Sequence, residues 1–208
     1  MKETHRRLRA ATAHAHEAVD AVFGDYDLTD RDGYTRFLSA HAAAMVPLEA
    51  ALDAAGAERV TGDWGERKRG QLILADLAAL NAQPHPVRAE LVEALSFSLC
   101  HRAERKKEGL CFDKLSTNGV GDIEPTLAGV LYVVEGSRLG GRFLARRVPA
   151  EFPKSYLDAH KPSGNWANLL ASIDAILYDE SRTEIAIGAA LSTFSMFERA
   201  GRDWLVKE

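Results

Sequence analysis

Residues 127–148 read LAGVLYVVEGSRLGGRFLARRV, a helical pattern with glycines where a helix interior favours alanine or leucine. Gly136, Gly140 and Gly141 each lower helix stability by roughly 1 kcal/mol relative to Ala. The fold must therefore place something there that needs a bare backbone. On a helix turning about 100° per residue, Gly129, Gly136 and Gly140 fall within about 40° of one another and make a smooth channel, which Gly141 would widen. Tyr132, Val133, Phe143 and Leu144 flank it. Two occupants satisfy such a channel: a second helix packed unusually close, or a flat ligand laid directly on the backbone. The glycines also make a kink easy. EGSRLGG has the spacing of neither a dinucleotide fingerprint nor a phosphate-binding loop.

The rest of the chain repeats the helical theme. Leu8, Ala11, Ala15, Val19 and Val22 return every three or four residues and predict a first helix from Glu3 to Phe23. A turn, GDYDLTDRDG, offers Thr29 or Asp30 as the cap of a second long helix, which Gly56 ends. Pro47 lies inside that helix and is expected to bend or break it, since its ring removes one hydrogen bond and crowds the preceding turn. Residues 66–84 predict a third helix, 85–107 a fourth, and 108–125 a loop with turn pairs at Asn118-Gly119 and Gly121-Asp122. Pro149 ends the glycine-interrupted helix, and residues 165–180 and 181–208 supply two more. Six to eight helices with short connections describe an all-α bundle, expected to be a single domain over residues 1–208.

Composition narrows the function classes. With 208 residues, 46% hydrophobic and 27% charged, the chain has a globular profile, and a net charge of −4 gives no general pull toward nucleic acid. No apolar run approaches the ~18 residues of a bilayer span, and no secretory leader is legible after MKETHRRLRA. Cys100 and Cys111 build no disulfide framework, and Cys100-His101 lacks the partners of a zinc site. The expectation is a cytoplasmic protein with reduced thiols.

Among seven histidines, His14 and His16 point about 200° apart on the first helix, so one at most faces inward. Arg9, Thr12, His16, Asp20 and Phe23 share a stripe. His16 reads either as a boundary histidine or as a ligand to a metal or haem iron, with Arg9 two turns back to meet an anionic group on the same ligand. His41 reads either as a boundary residue or as a polar group in a pocket.

Taken together, LRAATAHAHEAVDAVF at the start and LYVVEGSRLGG later in the chain resemble the haem oxygenase family, in particular its bacterial branch, whose members supply biliverdin to phytochromes. The first resembles the family's proximal helix, Leu-Lys/Arg-x-x-Thr-x-x-x-His, at Leu8, Arg9, Thr12 and His16. The second resembles its distal helix from Leu131 through Gly141, and residues 33–52 look like its second helix. The resemblance implies an all-helical fold with haem between the proximal helix and a kinked, glycine-rich distal helix. His16 would be the axial iron ligand. Arg9 would approach a propionate, with Thr12 beside them. Gly136, Gly140 and Gly141 would bring the backbone close over the ring and admit O₂. Haem would be substrate and cofactor together. Electrons from an external reductase or ferredoxin would complete its conversion to biliverdin, CO and ferrous iron, and a phytochrome would be a candidate consumer.

The motif departs from the animal enzymes by carrying Ser137 where they carry aspartate, which leaves His41 as a candidate for holding the relay water. No basic counterpart of the family's C-terminal propionate contacts is visible around Trp166–Tyr178, and residues 100–125 match no expected segment. Two other readings stay open: a non-catalytic haem or bilin carrier or sensor of the same fold, and a helical interaction module whose glycines are a packing seam.

Overall fold

The computed structural model of the chain describes residues 3–81 and 123–205. The expected fourth helix, the 108–125 loop up to Asp122, and Cys100, His101 and Cys111 lie outside these residues. What is described is all helical: α1 (Glu3–Gly24), α2 (Arg31–Ala55), a one-turn α3 (Trp64–Arg67), α4 (Gly70–Ala79), α5 (Glu124–Leu144), α6 (Trp166–Ile176) and α7 (Glu180–Trp204). None of them is long and apolar enough to cross a membrane.

Caps set the helix ends. Asp30 accepts the Gly33 amide at 2.8 Å at the start of α2, and Gly56 closes that helix in the left-handed region at φ 77°. Asn165 and Asp179 cap α6 and α7 in the same side-chain-to-amide manner. Pro47 does not break α2, which runs unbroken past it with Pro47 buried. An interior proline costs about 3 kcal/mol, and burial of Tyr34, Phe37, Leu38, Met45, Leu48 and Leu52 along the same helix offsets it.

The helix expected over residues 66–84 is two. Lys68 is extended at ψ 136°, and α4 starts afresh at Gly70. The physical cause is Glu49 of α2, whose carboxylate accepts the amides of Arg69 at 2.6 Å and Gly70 at 2.9 Å. An anion on exposed helix N-terminal amides is favourable, and this cap comes from a different helix, beyond the reach of local spacing.

The last helix organises the bundle. α7 packs against α1, α2 and α5, while α6 lies on α5. At the α5–α7 crossing a Cβ on Gly129 would come within 2.1 Å of the Ala186 carbonyl oxygen, so the two backbones are nearly in contact. At the other end Gly201 admits Val22 and Phe23, and the Tyr26 hydroxyl donates to its carbonyl at 2.6 Å.

Candidate functional site

Between α1 and α5, with α7 beneath, lies a small apolar cluster separate from the main core. Val133, Ala190 and Phe194 are its buried members, with Ala15, Val19 and Tyr132 packed against them. Phe194 joins the two motifs. His16 lies edge-on to its ring at 5.7 Å between centroids, and Val133 shares its cluster on the same side of α5 as Gly136 and Gly140.

His16 itself is 60% exposed at its side chain, and its Nδ1 sits 3.0 Å from Asp20 Oδ2. An Nδ1–H donated to a carboxylate leaves the lone pair on Nε2, the form that ligates metal. The stripe expected to run from Arg9 to Phe23 is one row but two environments. Thr12 and Phe23 are buried, whereas Arg9, His16 and Asp20 are exposed. Thr12 donates to the Leu8 carbonyl at 2.8 Å, and on α5 burial raises the pKa of the Tyr132 phenol, which Thr12 and then Arg9 partly counter.

The glycines of α5 divide by neighbour. Gly129 is the packing seam already described. Gly141, expected to widen the channel, packs on Leu157 instead, with a Cβ position 3.4 Å from its carbonyl oxygen. Among the described residues, a Cβ on Gly136 would meet only the Trp166 ring, at 3.8 Å, and one on Gly140 would meet nothing within 4 Å. Leu139 and Phe143, flanking Gly140, are 59% and 68% exposed. A bare backbone bordered by exposed apolar side chains is a surface suited to a flat apolar ligand.

Behind this surface is a cation that sequence spacing did not reveal. Arg69, 2% exposed, donates to the Val134 carbonyl at 2.6 Å and to Ser137 Oγ at 2.8 Å. Ser137 in turn donates to the Val134 carbonyl at 2.7 Å. The guanidinium lies over the Tyr156 ring at 5.2 Å, and its buried Nε has no acceptor among the described residues. Burial weakens the charged state of Arg69, and Tyr156 counters that most.

His41 lies among the aromatic rings of α1 and α2. Its ring sits 4.4 Å from Phe23 and 4.5 Å from Phe37 between centroids, and its Nδ1 lies 2.9 Å from the Tyr156 hydroxyl. Burial, and then the Arg69 charge, push its pKa down to about 3, so it is neutral and accepts the phenolic proton of Tyr156. Burial holds that phenol protonated. His41 thus reaches Ser137 only through Tyr156 and Arg69.

The remaining charges of EGSR fix the motif from the rear. Glu135 accepts Arg67 Nη1 at 2.7 Å and Arg138 Nη2 at 3.2 Å. Arg67 also binds Asp63 at 2.6 Å and the Gly164 carbonyl at 2.9 Å. Arg138 donates to the Arg67 and His160 carbonyls at 2.7 and 3.0 Å. Arg138 is thus a buried ion-pair partner within the glycine-interrupted helix.

No family model and no curated protein matches the chain. Among solved structures, it is similar to the haem oxygenase of Neisseria meningitidis in its NO- and CO-bound crystal structures. The identity is 19%, the TM-score is 0.70, and the match covers 97% of this chain and 91% of that one.

Proposed function

On a haem oxygenase fold, we propose that this chain binds haem between α1 and α5 and opens it, with O₂ and electrons from an external reductase or ferredoxin, to biliverdin, CO and ferrous iron. The observation that supports this best is the pairing across Phe194: an exposed histidine with its Nδ1 anchored to Asp20 on one side, bare Gly136 and Gly140 on the other. The donor set fits the group, since a single imidazole suits an iron whose other in-plane ligands come with the porphyrin.

In this reading His16 would hold the iron through Nε2, and Arg9 would neutralise a propionate. Thr12 stands beside Tyr132 at the edge of the slot. Gly136 and Gly140 keep side chains out of the space above the ring, so O₂ is not blocked. Bound haem supplies the redox-active iron and is itself the ring that is cut. The chain's own contribution to proton supply centres on Ser137. Arg69 has no lone pair to accept with and stays a donor to Ser137 Oγ, so the Ser137 hydroxyl hydrogen, which the Val134 carbonyl accepts at rest, is the one that would turn toward the slot. Gly141 shapes the helix seat on Leu157, and His41 acts at a distance, through Tyr156. A consumer of the bilin follows from the motif resemblance, a phytochrome in the same cytoplasm, and residues 1–208 act as one domain.

A second reading, a haem or bilin carrier that does not turn over, draws support from the absence of a carboxylate on Ser137. Aerobic incubation of the hemin-loaded protein with ascorbate or ferredoxin and its reductase separates the two. Growth of the biliverdin absorption with release of CO is expected; a pigment complex that survives reduction and aeration unchanged overturns the catalytic reading.

A further inference from the structure

The glycine face of α5 is open along only part of its length, and one side chain marks where the opening begins. Among the described residues, Gly129 is closed by the α7 backbone, Gly136 faces Trp166 Cη2, and Gly140, one turn on, faces nothing within 4 Å. Trp166 is the first residue of α6, fixed in place by the Asn165 cap, whose side chain accepts the Asn168 amide at 3.0 Å. Its indole is only partly buried, and it is held from the side by Tyr132 at 5.8 Å and by His5 at 6.3 Å. His5 and Tyr132 are themselves 6.0 Å apart, so the three rings bridge α1, α5 and α6. Arg69, buried with its Nε lacking an acceptor among the described residues, is bonded to Ser137, which lies in sequence between Gly136 and Gly140, and sets a cation behind this stretch of α5.

We infer that Trp166 is the end stop of the slot and a specificity-determining residue. Its six-membered ring limits how far a flat ring slides along α5 and so decides which edge lies over Gly140. This rests on the haem reading above and adds to it the residue that sets the seating. The geometry behind it is simple. Truncating Trp166 extends the bare face from Gly140 back across Gly136, a distance of about one helical turn, or ~5 Å. A planar ligand with no hydrogen-bonding partner on its faces then gains a second resting position. Tyr132 and His5 remain as a wall set further back.

The test is the seating of hemin itself in wild type, W166F and W166A, read from the haem-methyl proton resonances of the cyanide-treated hemin complexes. Wild type is expected to give one predominant methyl pattern. W166A is expected to give a shifted or doubled pattern, and W166F, whose ring falls short of Gly136, an intermediate one. The biliverdin isomers separated by chromatography should broaden in parallel. Should W166A fold poorly, W166L preserves packing on Tyr132 while withdrawing the stop, and the same shift is expected. Hemin uptake with methyl patterns identical across the series overturns the end stop and leaves the haem reading standing. Failure of wild type to take up hemin overturns both.

Discussion

Ser137 and Arg69 form a unit in which each side chain has one task. Ser137→Ala deletes the hydroxyl that can turn toward the slot and leaves Arg69 with the Val134 carbonyl alone. Removing one acceptor from a buried charged donor costs about 1–3 kcal/mol, visible in denaturant unfolding. Hemin affinity should change little, whereas single-turnover biliverdin formation should fall by about 10²-fold, the scale of a lost positioned proton donor. Equal turnover in S137A and wild type contradicts the role given to Ser137. His41 makes a second prediction at this scale. Its pKa is lowered in the folded state, to about 3 from 6.5, so the unfolded chain binds the extra proton between those values. Stability from this group is complete above pH 6.5 and drains away as pH falls toward 3, by at most about 5 kcal/mol. H41L should therefore unfold with a shallower dependence between pH 4 and 6.5, while losing about 1–3 kcal/mol at pH 7 because the Tyr156 hydroxyl is left without its acceptor. An unchanged acid slope in H41L denies this environment for His41.

At the scale of elements, α5 carries two kinds of glycine that substitution distinguishes. Gly129→Ala drives a Cβ into the Ala186 carbonyl, and overpacking of this kind costs typically about 1–3 kcal/mol. Gly140→Ala meets nothing among the described residues, so helix propensity alone should raise stability by up to about 1 kcal/mol. Yet the new methyl stands on the open face of the slot, so G140A should melt higher than wild type and bind hemin more weakly; a G140A protein that binds hemin as well as wild type removes the reason for the glycine. The rear lattice gives a companion test. Arg67 joins Asp63 and Glu135 with its side chain 1% exposed. Arg67→Met takes the guanidinium from Asp63 and leaves Glu135 with Arg138 as its one cation among the described residues, and breaking a buried pair costs about 3–5 kcal/mol, to be read as a fall in the urea midpoint.

At the scale of the whole molecule, helices with a regular apolar period and a local cap were legible from the chain: α1, α2 with Asp30 and Gly56, α6 and α7 all stand close to where periodicity predicts them. The break before α4 was not legible, because its cause is Glu49 on another helix. The same limit separates the parts of the site. His16, Ser137 and the open glycines lie within motifs whose spacing is informative, and so they could be named from the sequence. Arg67 and Arg69 lie where one continuous helix was expected and Tyr156 lies outside any predicted helix, and all three gain meaning only when α2, α4 and α5 pack together. His41 shows the reverse: a histidine in an alanine-rich turn looks available from sequence, and packing of Phe23 and Phe37 encloses it.

The central claim is that α1 and α5 hold haem through His16, and titration of the purified protein with hemin addresses it most directly. A Soret band that saturates at one hemin per chain, shifted from free hemin and replaced in His16→Ala by a weaker, differently ligated spectrum, is the predicted result. A flat titration, or a saturating band identical in wild type and H16A, contradicts it.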